Sequence, residues 1–392
     1  MKPEVKRVGL IVAVVACLAV LVAIVFRERD PVYQGRSAMD WGRDLNNPNP
    51  TVQSNATLAV RALGPKAFPV WARALSRIDA PYKRPFLSFA PNVARWIRRI
   101  FSSVFKPFDA EWDRLAGARA LEVLGPDAPI DLALVALKSP DLRIAGIAQA
   151  SLTKIGKPAV PGLVAMLENS NPMIRSRSCL ALGAIGPAAG DAVPSLIHQL
   201  PTVSTNNRSE IVFALKRIGP AAAELLLEEL QSTNSRNREM ASYVFACGGP
   251  FSTNVPGGLI HASRDSSTHV RLNAIQALGD LRPIAPESVA AFVVALRDPE
   301  VTVRLQALRS LARSWIRAEP AIPELVRLFD DADPEIRFHA LLVIEHIGSG
   351  AKAAVPALRT RLKDDDASIR AKAASLLAKL DPDGTAEAQK GN

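Results

Sequence analysis

The sequence predicts an all-α protein: an α–α superhelix of about nine to ten helix pairs, preceded by a single transmembrane helix. Three observations carry that prediction. An uncharged apolar run occupies Gly9–Phe26. From about residue 48 onward a two-helix pattern recurs at steps of 30–33 residues. The composition is 48% hydrophobic but only 5% aromatic, which suits stacked helices better than strands.

The apolar run, GLIVAVVACLAVLVAIVF, would span about 27 Å as a helix, close to the hydrocarbon core of a bilayer. Lys2, Lys6 and Arg7 precede it, and Arg27, Glu28, Arg29 and Asp30 follow. Three readings compete. A cleaved signal peptide needs small residues before the cleavage point, and none of that kind precedes Arg27. Val14-Val15-Ala16-Cys17 fits a relaxed pattern before a lipidated cysteine, but Leu18–Phe26 would then leave an apolar stretch on the mature start. An uncleaved anchor at 9–26 fits best, because the run is apolar on every side. Basic residues flank both of its ends, and the short tail 1–8 is placed inside, with the body on the extracytoplasmic side.

Glycines that close a helix set the repeat register: Gly64, Gly125, Gly156, Gly186, Gly219 and Gly249. Further 33-residue steps reach Arg282, Trp315, Gly348 and Asp381. Each unit reads as two helices. The first is seen in Ile336–Gly348, where apolar residues recur at helical spacing and glycine ends the helix by accepting a left-handed conformation. The second opens with proline, as in Val355-Pro356-Ala357-Leu358, and Pro69, Pro129, Pro161, Pro194, Pro256, Pro286 and Pro323 stand at matching places. A third marker concerns charge. Asp265, Asp298, Asp331 and Asp364 lie six residues before Arg271, Arg304, Arg337 and Arg370. Arg175, Arg208 and Arg238 hold the same place after Asn169, Thr202 and Ser232. An Arg–Asp ladder, bidentate and partly shielded, is expected to tie neighbours together. Phosphate binding by these arginines is the alternative, and the regular acidic partners argue against it.

These residues resemble HEAT repeats, more specifically the short form of roughly 30 residues also found in phycobilisome lyases. The resemblance covers about residues 48–380. It implies a superhelix whose second helices line a concave surface, and binding of other proteins.

The array is expected to span 37–380, after a linker at 27–36. Ser37–Leu45 reads as a lone second helix capped by Ser37, with Asn47 and Gln53 in the places of Asp and Arg. Ala367–Leu380 reads as a last first helix, and 381–392 as a disordered tail. The step from Gly64 to Gly125 holds one repeat plus an insertion near 79–109. Residues 80–108 carry six basic residues and no acidic one, and eight of the 21 aromatics fall in Tyr82–Trp112. Within the insertion Trp96, Phe101 and Phe105 share an apolar stripe flanked by Arg95, Arg98 and Arg99. Either the stripe packs inward, or it lies on a membrane or an acidic partner.

Residues 141–392 hold 28 Lys/Arg against 26 Asp/Glu, so a continuous nucleic-acid groove along the array is disfavoured, despite a net charge of +10 overall. Three cysteines, Cys17, Cys179 and Cys247, form no CxxC pair, which argues against a disulfide framework or thiolate zinc site. Cys179 and Cys247 read as buried, inert thiols. His198, His261, His269 and His339 lack a second ligand at helical spacing, and Glu345-His346 stands once. No GxSxG, P-loop or GxGxxG motif is present. Neither an enzyme nor a cofactor is therefore expected. The expected function is a membrane-tethered scaffold for protein partners. The alternative is a membrane-surface or nucleic-acid module acting through the insertion, and a lyase-like chromophore chaperone is a lesser one that the resemblance suggests.

Overall fold

In the computed structural model, residues 30–77, 110–201, 205–249, 254–281, 284, 286–314 and 318–382 are described. The expected tail 1–8, the transmembrane helix 9–26, the insertion 79–109 and all but two residues of the tail 381–392 lie outside them.

The described chain opens with a small hairpin where a linker was expected. Strands β1 (Val32–Tyr33) and β2 (Arg36–Ser37) pair antiparallel, with Val32 opposite Ser37. Gln34 and Gly35 turn between them at φ of 49° and 75°, as a two-residue hairpin loop requires. Two residues per strand are too few to show a period in the sequence. Helix α1 (Ala38–Asp44) follows, with the Ser37 hydroxyl accepting the Asp40 N–H at 3.2 Å. Trp41 of α1 ties the hairpin down, its indole N–H donating to the Tyr33 carbonyl at 3.0 Å.

The helices form two compact units, divided between Ile155 and Gly156. In the first, α2 (Pro50–Leu63) and α3 (Phe68–Ser76) make one pair, α4 (Ala110–Leu124) and α5 (Ile130–Leu137) the next, and α6 (Leu142–Ile155) is a further first helix. Helix α2 packs on α4, and α4 on α6, so the pairs on either side of residues 78–109 are neighbours in space. Trp71 of α3 is fully buried, and its ring comes so close to α1 that a Cβ at Gly42 would stand 2.6 Å away.

The second unit runs α7 (Val160–Met166), α8 (Pro172–Ile185), α9 (Val193–Gln199), α10 (Thr205–Ile218), α11 (Pro220–Glu229), α12 (Ser235–Ala246), α13 (Val255–Ala262), α14 (Thr268–Asp280), α15 (Pro286–Ala295), α16 (Val301–Ser314), α17 (Ile322–Arg327), α18 (Pro334–Ile347), α19 (Val355–Arg361) and α20 (Ala367–Leu380). First helices pack on first helices, α8 on α10 and then α12 through α14, α16 and α18 to α20. Second helices α9, α11, α13 and α15 likewise stack in order. The core lies between the two layers. In α18 the buried set is Ile336, Ala340, Leu341, Val343 and Ile344, the 3–4 spacing of one helix face.

Proline helps start both kinds of helix. It stands in the first turn of α3, α7, α9, α13, α17 and α19, and it is the first residue of α11 and α15. Pro129 departs from the expectation, since it precedes α5 as the capping residue. First helices α2, α8 and α18 also begin at proline, after Asn49, Asn171 and Asp333.

The turn glycines adopt positive φ, but not the helical left-handed well. Gly348 has φ 67° and ψ −135°, the mirror image of extended backbone, and still donates its N–H to Ile344 O. No Cβ-bearing residue adopts that region cheaply. At the 249 position the expectation is off by one residue. Gly248 carries the positive φ of 75°, because α12 already ends at Ala246 and the chain turns earlier. Around Gly348 nothing stands within 4 Å of a built Cβ, so Gly348→Ala tests the backbone alone. It is expected to lower unfolding stability by about 1–3 kcal/mol. Gly146→Ala, in the interior of α6 and equally open, should raise it by roughly 0.5–1 kcal/mol. Urea denaturation of the two variants decides the matter; equal effects would contradict the conformational argument.

Candidate functional site

Each second helix must hand the chain to the next first helix through a loop whose backbone N–H groups need acceptors. One side chain per loop supplies the first. Asn47, Ser139, Asn169, Ser232, Asp265, Asp298, Asp331 and Asp364 each accept the N–H two residues on, at 2.8–3.3 Å. In several loops the residue two places on then caps the helix: Asn171 accepts from Met173, Asp333 from Glu335 and Asp366 from Ser368.

The arginines build on these turns. Arg337 Nη1 donates to the carbonyls of Asp331 and Ala332, at 2.9 and 3.2 Å, closing the loop before its own helix. Its Nε and Nη2 reach the carboxylate of Asp364, both at 3.0 Å. The ion-pair partner is therefore the aspartate 27 residues ahead, in the next repeat, and not the one six residues behind. The aspartate six residues behind is not the partner, because its side chain is engaged with its own loop and the preceding arginine. Among the described residues four rungs form this way: Arg238–Asp265, Arg271–Asp298, Arg304–Asp331 and Arg337–Asp364, at 2.7–3.1 Å. Arg175 and Arg370 make the carbonyl half of the same arrangement, donating to Asn169 and Asp364 O at 2.7 Å. Arg208 instead lies 5.8 Å from the ring of Tyr243.

The rung side chains keep only 3–15% of their surface. Burial pushes the Asp265 and Asp364 carboxyls upward, but hydrogen bonds from Arg238 or Arg337 and from the loop N–H outweigh it, and both end below the usual carboxylate range.

The profile of HEAT repeats matches residues 257–345 and 322–389. This stretch consists of HEAT repeats. The ladder runs through it and continues upstream to Arg238. No curated protein matches the chain. Among solved structures it is similar to an engineered protein, at 18% identity over 88% of this chain and 98% of that one, with a TM-score of 0.39. It is also similar to Kap121p, at 14% identity over 89% of this chain and 42% of that one, with a TM-score of 0.49. A third is Kap95p, in a structure concerned with its binding to RanGDP, at 14% identity, 90% and 54% coverage and a TM-score of 0.45. The chain thus spans about half the length of the latter two, and all three scores lie below 0.5.

Beside the rung Arg271–Asp298, where the second helices α13 and α15 end, the surface is less closed. Between α13 and α15 lies an open groove of about 720 Å³ lined by Arg264, Arg271, Val293, Val294, Arg297 and Asp298, among others. Val294 is 50% exposed and Arg297 68%. Glu324 of α17 receives both Arg297 and Arg327, the latter at 2.9 Å. The Arg297 hydrogen bond above all, with Arg327 helping against burial, holds its carboxyl down at about 2. On the first-helix side Lys372, then Lys379, hold Glu345 at about 2.

Of the other expected sites, Arg95, Trp96, Arg98, Arg99, Phe101 and Phe105 lie outside the described residues. Trp112, at the edge of that aromatic cluster, is exposed. Cys179 is buried, and desolvation, with Glu210 nearby, pushes its thiol up to about 12. Cys247 corrects the expectation. It is exposed, because it caps α12 instead of lying within it. Among the described residues no group of three His, Cys, Asp or Glu side chains is placed to hold a metal.

One charged site went unread in the sequence. Asp113 of α4 is fully buried at a place where most other repeats put an aliphatic residue, Ile144, Ile174, Val270, Val303, Ile336 and Ile369, and two put Asn207 and Asn237. Its carboxylate takes Arg43 Nε at 2.8 Å and also Arg77 Nη1. A charge at an apolar register position was the available signal.

Two outcomes follow for the charged network. Arg337→Ala is expected to cost about 1–3 kcal/mol, since it strands an Asp364 carboxylate that is 3% exposed. A double-mutant cycle should show coupling of roughly 0.5–3 kcal/mol between Arg337 and Asp364 and clearly less between Arg337 and Asp331; the reverse order would put the pairing within one repeat. The second outcome concerns pH. Glu324 and Glu345 are depressed in the folded state, so the unfolded chain binds more protons as pH falls. Their contribution is present above about pH 4.3, the unfolded carboxyl value, and is lost as pH falls toward 2. Thermal melts at pH 6 and pH 3 should show a smaller drop in Glu324→Gln/Glu345→Gln than in the parent protein. An equal drop would mean that these pairs carry no linkage.

Proposed function

We propose that the protein is a membrane-tethered scaffold that binds other proteins through the second-helix edge of its HEAT repeats. The carrying observation is an open groove among the second-helix ends, beside one rung of the ladder. Loops entering the first helices are closed on themselves by turns and rungs. The second-helix edge keeps an open groove with an exposed valine and exposed guanidinium groups. Groups of that kind match the mixed apolar and charged makeup of protein interfaces. The tether rests on Gly9–Phe26, whose length and lack of charge suit a bilayer. The basic residues Lys2, Lys6 and Arg7 before the run favour a body on the extracytoplasmic side.

The test combines fractionation with crosslinking. Full-length chain should stay in the membrane pellet through an alkaline wash, and protease added outside intact cells should cleave the body. A soluble form starting near Arg27 would remove the tether, and lipid on Cys17 would replace the helix by an acyl anchor. Deleting residues 81–106 should leave the crosslinked partners unchanged. Loss of those partners would move the binding site to the basic insertion.

A further inference from the structure

The groove between α13 and α15 gathers charge that its own lining does not fully answer. Three guanidinium groups and one carboxylate line it: Arg264, Arg271, Arg297 and Asp298. Asp298 is consumed by the rung to Arg271, at 2.7 Å with that arginine only 13% exposed. Arg297 shares Glu324 with Arg327, so one carboxylate answers two cations. Arg264, exposed at the end of α13, makes no side-chain hydrogen bond or ion pair with any described residue. Between these charges run Val293 and Val294, and Val294 is half-exposed in the third turn of α15.

Resting on the scaffold reading above, we propose that this groove binds an acidic segment of a protein partner: an aliphatic side chain set on Val293 and Val294, with carboxylates either side on Arg264 and Arg297. The chemistry follows from complementarity. A guanidinium fork recognises a carboxylate through two parallel hydrogen bonds, and Arg264 and Arg297 hold donors still unused for that purpose. The apolar floor selects against a nucleic-acid strand, which brings phosphates and base faces but no aliphatic group. So does the near balance of charge over residues 141–392, 28 basic against 26 acidic. A volume of about 720 Å³ lies in the range of sites that hold a segment of a few residues.

The experiment selects peptides from a random 12-residue library on the full-length protein in detergent. A parallel selection uses Arg264→Glu/Arg297→Glu, whose thermal midpoint serves as the folding control. Peptides enriched on the parent protein should carry two or more Asp or Glu around a Leu, Ile or Val, and their enrichment should vanish on the variant. For one such peptide, Arg264→Ala should weaken binding about tenfold, Val294→Asp at least as much, and rising salt should weaken it further. Neutral or basic enriched peptides would overturn the proposal. So would tighter binding of a single-stranded DNA oligonucleotide that displaces the peptide. Acidic peptides enriched equally on parent and variant would remove this groove and leave the scaffold standing. No enrichment on either protein would remove both.

Discussion

The structure depends on how one loop is fastened to the next. A chain that leaves a second helix must reverse and enter a first helix, and the reversal exposes backbone N–H groups with no helical partner. A short side-chain oxygen two residues back satisfies one of them, and any of Asn, Ser or Asp can do this. Only aspartate leaves a charged oxygen over. In the second unit that surplus is met by an arginine from the preceding repeat, whose remaining donors hold the carbonyls of its own loop. One guanidinium therefore spans two successive loops, and a row of them fixes the spacing of the first helices. The neutral loops at Asn47, Ser139 and Asn169 show which part is indispensable, since they keep the turn without the charge.

This arrangement divides the side chains along one row of loops unequally. Rungs along the first-helix loops use up their donors and acceptors within the fold, so little is left there for a partner to recognise. The other arginines at the second-helix ends differ among themselves. Arg327 and Arg361 reach back to the carbonyls of Leu296 and Phe329, but Arg264 reaches no side-chain partner among the described residues. Internal satisfaction and availability to ligands are two uses of the same kind of side chain, and the repeat assigns them to different positions on the same row of loops.

Much of this was legible in the sequence. Helix pairs, their glycine turns and the ladder residues follow from a period long enough to be seen many times, and the observed bounds of the last helix, Ala367–Leu380, are those the pattern gives. The ladder between neighbours was legible, but which aspartate each arginine takes was not. The correct one, 27 ahead, is the same register counted across a repeat boundary. The hairpin at Val32–Ser37 left no trace, since its stability comes from the Trp41 hydrogen bond and ring packing and not from strand composition. The groove was invisible for a similar reason. Arg264 and Arg297 look like any solvated charges until the structure shows which carboxylates are already taken.

Asp113 shows what the repeat does when its apolar rule is broken. A buried carboxylate without counter-charge would cost several kcal/mol, so the exception stands only where cations arrive with it. They come from two elements, Arg43 at the end of α1 and Arg77 just after α3, while Arg114 donates to the Arg77 carbonyl at 2.6 Å. The location is significant. Arg77 and Asp113 flank residues 78–109, the one place where the regular period is interrupted by a long excursion. Apolar contacts tolerate a slipped register, because one aliphatic surface resembles another. An ion triad does not, since any slip of α4 against α1 and α3 leaves charges buried and unpaired. Replacing isoleucine by aspartate at this position thus exchanges indifferent cohesion for a contact that admits one register.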